Sequence, residues 1–285
     1  MRARGQHVVS PYIAGAGPAD DHPTVGDWLL IDRDTLEPVR VLERLNLFKR
    51  RAPGDPNREQ MIAANVDTLF VVASCNQDFS VARLERYLVL AREVGVKPVV
   101  VLTKTDLTDD PQRFVTAASA IEPGLQVEPV NGRDPASVAR LAAWCGKGET
   151  VALLGSSGSA NRRWSIPCGV EQHRNAGDPP ARRHRTPTTT VREMHRLDHG
   201  GWLLDTPGMR ELQLPQATAG IAEIFDDFIL IAEHCRFSDC AHGAEPDCAV
   251  RAAINAGTLT IDRFERWQKL AAEDNAAAHP PKRRR

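Results

Sequence analysis

The sequence predicts an α/β protein with a mostly parallel central sheet, a small β unit ahead of it and a helical metal-binding segment behind it. Three observations carry the prediction. Strand-sized apolar runs alternate with amphipathic helical runs between Ala63 and Leu154. Short polar turns follow three of the apolar strands, and three cysteines and a histidine crowd the stretch from Cys235 to Cys248. Alternation of this kind implies βαβ units around a parallel sheet.

A chain of 285 residues suits roughly two domains, and an apolar fraction of 42% suffices for a buried core. The longest apolar runs, Thr68 to Ser74 and Pro98 to Leu102, are strand-sized and far short of the ~20 residues a membrane span needs, and no secretory signal precedes them. The reading is therefore a cytoplasmic protein with no membrane partner. A formal net charge of -1 excludes a uniformly basic surface. Any nucleic-acid contact falls to the local clusters Arg40 to Arg51, Arg182 to Arg185 and Lys282 to Arg285, which are equally compatible with solvated surface charge.

In chain order, residues 1 to 25 have a thin hydrophobic pattern and are expected to be poorly ordered. Gly26 to Asp32 and Glu37 to Leu42 read as two strands about an Asp/Thr turn, and Arg51 to Pro56 as a linker. Strands are expected at Val66 to Ser74, Lys97 to Leu102, Val127 to Val130, Thr150 to Leu154 and Trp202 to Leu204. Helices are expected at Ser80 to Val94, Pro111 to Ala120 and Pro135 to Trp144, then at Ile221 to His234, Ala249 to Ala256 and Thr260 to Ala272. After Asp274 the pattern passes into a basic tail not expected to pack. The division is a β unit over 1–55, an α/β domain over 60–215 and a helical domain over 220–285.

Four motifs carry chemistry. Thr103-Lys104-Thr105-Asp106 follows a strand at the carboxyl edge where α/β sheets bind ligands. An Asp there can accept from the ring N–H and exocyclic amine of guanine, with the Lys stem packed on the base; alone, the tetrapeptide fits an ordinary strand-end loop as well. Asp205-Thr-Pro-Gly208 follows Trp202 to Leu204, where an Asp can reach Mg²⁺ and a Gly N–H a terminal phosphate, or where a plain turn can form. Thr186 to Thr190 offers hydroxyls for a metal-bound phosphate and equally fits strand or loop. Cys235-x₄-Cys240-x-His242-x₅-Cys248 is the most specific: three thiolates and an imidazole make a closed shell for structural Zn²⁺, and such soft ligands disfavour Mg²⁺.

Gly155-Ser156-Ser157-Gly158 opens a phosphate loop in the place where GxxxxGK[ST] belongs, but Ala160, Asn161 and Arg162 stand where that pattern has Gly, Lys and Ser/Thr. Pro167 would also interrupt the helix that cradles phosphate. Ser159 to Pro167, with two bases of Cys168, can be spelled TCG GCA AAT CGA CGC TGG TCA ATA CCC TG. With one G in front, the same bases read GTC GGC AAA TCG ACG CTG GTC AAT ACC CTG, or Val-Gly-Lys-Ser-Thr-Leu-Val-Asn-Thr-Leu, which completes the loop. Wobble bases are chosen here, whereas most first and second bases are dictated by the protein. The defect thus has the form of a displaced reading frame, in the gene or in its reading, that closes before Thr188.

The order of these motifs, with the β unit ahead and the Cys₃His cluster behind, resembles the RsgA/YjeQ family of ribosome small-subunit biogenesis GTPases, from about Gly26 to Ala272. The resemblance implies a circularly permuted Ras-like GTPase domain, an N-terminal partial OB-like β unit, here shortened, and a C-terminal helical zinc-binding domain. It implies GTP binding and hydrolysis late in 30S subunit maturation, by a monomer that meets 16S rRNA and exchanges GTP and GDP. Thr103, Lys104, Thr105 and Asp106 would read guanine, and Gly155, Ser156, Ser157, Gly158, Ser159, Ala160, Asn161, Arg162 and Arg163 would occupy the phosphate loop. Asp205 and Gly208 would face Mg²⁺ and γ-phosphate, and Cys235, Cys240, His242 and Cys248 would hold Zn²⁺. Met209 stands where Ras-type enzymes carry a water-orienting Gln, and His184 is the candidate for assisting that water. The missing Lys and hydroxyl leave three readings open: a GTPase with an impaired loop, a pseudo-GTPase that binds ribosome or rRNA without nucleotide, and a zinc-dependent nucleic-acid module on an inert α/β scaffold.

Overall fold

Near-continuous apolar runs become the inner strands of a six-stranded sheet in the computed structural model, which describes residues 22–35, 37–52, 55–155, 193–197, 200–205 and 217–278. Its strands are β5 (Thr68–Ser74), β6 (Lys97–Thr103), β7 (Gln126–Pro129), β8 (Thr150–Gly155), β9 (Glu193–Arg196) and β10 (Trp202–Asp205). They lie in the order β7-β6-β5-β8-β10-β9, all parallel except β9, which pairs antiparallel with β10. The chain builds outward from β5 through β6 to β7, then returns to the other side of β5 at β8. That reversal makes a switch point between the carboxyl ends of β5 and β8, the usual crevice for ligands in open α/β sheets.

Both faces of the sheet are covered, which explains why the strands read as unbroken apolar runs. Leu69, Val71, Val100, Leu102, Ala152, Leu154 and Leu204 face one core with helices α1 (Val81–Glu93) and α2 (Gln112–Ser119). Phe70, Val72, Val99, Val101, Val151 and Leu203 face the other with Val138 of α3 (Pro135–Ala139) and Leu141 of the 3₁₀ turn that follows. Ser80 caps α1 by accepting from the Arg83 N–H, so this helix starts where a side-chain acceptor precedes the apolar stripe.

Ahead of the sheet stand two separate hairpins, β1 (Leu29–Ile31) with β2 (Pro38–Val41) and β3 (Leu47–Ala52) with β4 (Asp55–Ala64). Asp32 closes the first by accepting from the N–H groups of Asp34 and Thr35, both at 2.9 Å. Arg51 to Pro56 is not a linker: it spans the end of β3 and the start of β4. Pro-Gly chemistry serves a hairpin as readily as a connector, and the long β4 supplies the pairing that separates the two cases. Among the described residues the OB-like unit is these two hairpins and no closed barrel.

Behind the sheet come α4 (Thr218–Ile224), α5 (Asp226–Ala232), α6 (Ala249–Asn255) and α7 (Ile261–Ala278). The run expected as one helix from Ile221 breaks at Phe225, whose ring is fully buried while its backbone leaves helical geometry. Pro135 to Trp144 likewise divides into α3 and a 3₁₀ turn. The expected end near Asp274 is overrun: α7 continues to Ala278, since Asp274 is buried and accepts from the Ala217 N–H and the Thr218 hydroxyl, and Ala is the best helix former. The α4 helix crosses α1 at Gly220, where a Cβ would sit 2.2 Å from the Val89 carbonyl oxygen, so only glycine fits this approach. No described helix is long and apolar enough to cross a membrane.

Candidate nucleotide site and metal centre

The turn after β6 is set by its backbone. Lys104 adopts a left-handed conformation with φ of 57°, and Thr105 to Leu107 form a 3₁₀ turn closed by the Leu107 N–H on the Lys104 carbonyl. Thr103 is buried, and its hydroxyl donates to the Ala73 carbonyl of β5, so this side chain ties together the ends of the neighbouring inner strands β5 and β6. Asp106 projects beyond them with a side chain 22% exposed, 3.4 Å from the guanidinium of Arg133. Arg133 belongs to the loop from Asn131 to Asp134 that joins β7 to α3, a residue that the sequence reading did not single out.

Gly155 ends β8 opposite Val72 of β5, next to the switch point, and Asp205 ends β10 opposite Glu193 of β9. These ends share one sheet edge with Thr103, the partner of Ser74 in the β5–β6 register. Ser156, Ser157, Gly158, Ser159, Ala160, Asn161, Arg162 and Arg163 lie outside the described residues, as do Thr186 to Thr190, His184, Gly208 and Met209. The β9 strand was not foreseen: Glu193-Met-His-Arg196 alternates weakly and owes its conformation to pairing with β10.

The candidate metal centre lies where α5 and α6 are joined by a loop. Cys235, Cys240, His242 and Cys248 bring their ligand atoms within 4.8 Å of one another. The Cys235 and Cys248 sulfurs are 3.9 Å apart, and each is 3.6 Å from His242 Nδ1. A tetrahedral Zn²⁺ with its usual bond lengths requires edges of about 3.8 Å between sulfurs and about 3.6 Å between sulfur and nitrogen. The donor set and its spacing therefore fit such an ion. His242 and Asp247 take left-handed backbone with φ of 59° and 58°, which lets a short loop fold its ligands inward.

Electrostatics around the cluster are divided: His242 and Cys235 are poised for ligation, whereas burial, with the neighbouring Cys248 and Cys235 thiols, pushes the Cys240 thiol up to about 11. Burial lowers the His242 pKa against the opposing pull of Glu245, which keeps the imidazole in its neutral, metal-binding form. Burial pushes the Cys235 thiol up, but backbone N–H groups of Val250 and Ala249 and the neighbouring thiols outweigh it, leaving a net lowering that favours thiolate. Glu245 holds the loop by accepting from the N–H groups of Ala241 at 3.1 Å and Gly243 at 2.6 Å. The His242 ring is flanked by Phe228, with centroids 5.4 Å apart, and by Trp267 at 5.9 Å, so the cluster is seated on the aromatic core of the helical segment.

A mostly parallel sheet in this strand order, with a Cys₃His cluster that could hold a metal behind it, has the fold of a circularly permuted GTPase. The RsgA GTPase family model matches residues 41–163. The small ribosomal subunit biogenesis GTPase RsgA 2 of Vibrio parahaemolyticus is 47% identical over 254 residues, covering 88% of this chain and 70% of the relative. The RsgA of Mesorhizobium japonicum is 44% identical over 262 residues, covering 88% and 73%. The crystal structure of YjeQ from Thermotoga maritima superposes with a TM-score of 0.64 at 25% identity, covering 90% of this chain and 86% of that one. YloQ, described as a circularly permuted GTPase, shares the fold with a TM-score of 0.61 at 23% identity, covering 90% and 82%. The chain belongs to the RsgA GTPase family.

Proposed function

We propose that this chain is a GTP-binding and GTP-hydrolysing factor of late 30S subunit maturation whose phosphate loop, as encoded, is impaired. One observation carries the reading: the turn bearing Asp106, the end of β8 at Gly155 and the end of β10 at Asp205 share one sheet edge, in a chain 47% identical to a named small-subunit biogenesis GTPase. In this reading Asp106 accepts from the guanine ring N–H and amine while the Lys104 stem packs on the base and Thr105 completes the turn. The N–H groups from Gly155 to Gly158 donate to phosphate, with Gly208 donating to the terminal one, and Asp205 holds the Mg²⁺ shell. Bound Mg²⁺ supplies neutralising charge on the phosphates. His184 is the candidate for orienting water.

The partners in this reading are the 30S subunit and 16S rRNA, met by a cytoplasmic monomer, and the metal is one structural Zn²⁺ on Cys235, Cys240, His242 and Cys248. In this reading the chain has three parts, a β unit, an α/β GTPase domain and a helical metal-binding domain, and the β4 strand runs on to Ala64. A second reading, a pseudo-GTPase that associates with the ribosome without nucleotide, is favoured by Ala160, Asn161 and Arg162 in the loop. The family match also ends at Arg163, within the stretch where the loop departs from the GxxxxGK[ST] pattern. Sedimentation of the purified chain with 30S subunits, with and without GTP or a non-hydrolysable analogue, separates the two. Association that rises with GTP supports the first reading, and association indifferent to nucleotide supports the second.

A further inference from the structure

The loop between β7 and α3 is stitched tightly at its base. The Val130 N–H donates to the Leu102 carbonyl, the Asn131 N–H to the Ser137 hydroxyl and the Asp134 N–H to the Asn131 carbonyl. Asn131 Oδ1 accepts from the Arg133 N–H at 2.9 Å, and Asp134 caps α3 by accepting from the Ala136 N–H. The backbone of Arg133 is thus fixed beside the β6 turn, while its side chain is 70% exposed and able to swing. Its guanidinium stands 3.4 Å from Asp106 Oδ2, and among the described residues this is the cation that Asp106 meets.

The chemistry of that pair is specific. The N1–C2–N2 edge of guanine is itself a guanidine fragment that presents two donors side by side, the same group that Arg133 brings to Asp106, here through a single Nη1 to Oδ2 approach of 3.4 Å. We propose that Arg133 is a built-in stand-in for guanine: it pairs with the carboxylate of Asp106 and competes there with the base, which raises the threshold for guanine-nucleotide binding. This rests on Asp106 being the guanine reader. Adenine, which has no matching donor pair, is then unable to evict Arg133 from the carboxylate.

The cost of eviction is modest, because the pair is exposed: such pairs contribute up to about 1 kcal/mol, equivalent to about a fivefold change in affinity. The test is titration of the full chain and its Arg133→Ala and Arg133→Lys variants with fluorescently labelled GDP and ADP at low and high salt. Expected are GDP binding about two- to fivefold tighter in Arg133→Ala, an intermediate value for Arg133→Lys, which keeps charge without the fork, and ADP binding unchanged. The gain should shrink as salt screens the pair. The direction is diagnostic, since removing a cation near an anionic ligand without competition weakens binding. GDP preferred over ADP but bound equally or more weakly by Arg133→Ala overturns the stand-in and leaves the guanine site intact. No discrimination between GDP and ADP by either protein overturns both.

Discussion

Glu85 of α1 and Arg266 of α7 stand 181 residues apart in the chain and meet through a charge-assisted hydrogen bond of 2.6 Å, with the Glu85 side chain wholly buried. Arg263 adds a second guanidinium at 3.5 Å from Glu85 Oε1 while gripping Asp227 at 2.8 Å. The helix flanking the central sheet is thereby bolted to the helix that backs the metal centre. Burial raises the Glu85 pKa against the lowering effect of both arginines, so desolvation outweighs the pairing.

That balance predicts an asymmetry. Arg266→Met should destabilise by about 3 kcal/mol, because it leaves a buried carboxylate with only the more distant Arg263, while Glu85→Gln should cost less and should partly rescue Arg266→Met. The sign with pH follows from the raised folded pKa: the folded state binds more protons, so stability falls as pH rises from the unfolded carboxylate value through the folded one. In Arg266→Met that window should extend further upward. Urea unfolding of the four proteins between pH 4 and 8 reads all three effects, and equal losses for both single variants would rule out the account.

The metal centre predicts about one Zn²⁺ per chain, retained through purification. Cys240→Ala should lower the metal content and loosen the segment from Ala217 onward. Trp267 provides the readout, stacked on Phe228 with centroids 4.1 Å apart and 5.9 Å from His242, so its fluorescence should shift on chelation. Metal analysis together with thermal melting checks this; complete metal loss with an unchanged melting temperature would remove the structural role.

Base choice predicts a switch at Asp106. Asp106→Asn should weaken GDP by roughly ten- to a hundredfold, since a hydrogen bond to a charged group contributes about 1.5–3 kcal/mol, and should favour xanthosine diphosphate, whose 2-oxo group calls for a donor. Competition between the two diphosphates on both proteins measures it. Unchanged preference would move guanine reading away from this turn.

What the sequence made legible was local. The start of α1 at Ser80, the apolar runs of β5, β6 and β8, and the Cys₃His cluster each announce themselves within a few residues. Contacts between distant segments did not. Nothing near Glu85 signals two arginines from α7, and Arg133 reads as an ordinary polar loop residue until the β6–β7 pairing brings it to Asp106. Arg51 to Pro56 shows the same limit, because turn chemistry alone does not distinguish a hairpin from a linker.

The phosphate loop supplies the last prediction. Without the Lys and the metal-binding hydroxyl, two contacts to charged groups are lost, each contributing roughly 1.5–3 kcal/mol. Together they amount to about two to four powers of ten in affinity. GTP binding by the chain as encoded should therefore be weak and hydrolysis near background. Asn161→Lys alone should recover little, since Arg162 still occupies the metal-binding position and Pro167 still interrupts the helix pattern. Replacing Ser159 to Cys168 with Val-Gly-Lys-Ser-Thr-Leu-Val-Asn-Thr-Leu should recover far more, because it restores the charge, the hydroxyl and the helix together. Phosphate release and nucleotide titration on the three proteins decide it: if the unaltered chain hydrolyses GTP as fast as the repaired one, the segment after Gly155 is not the phosphate site.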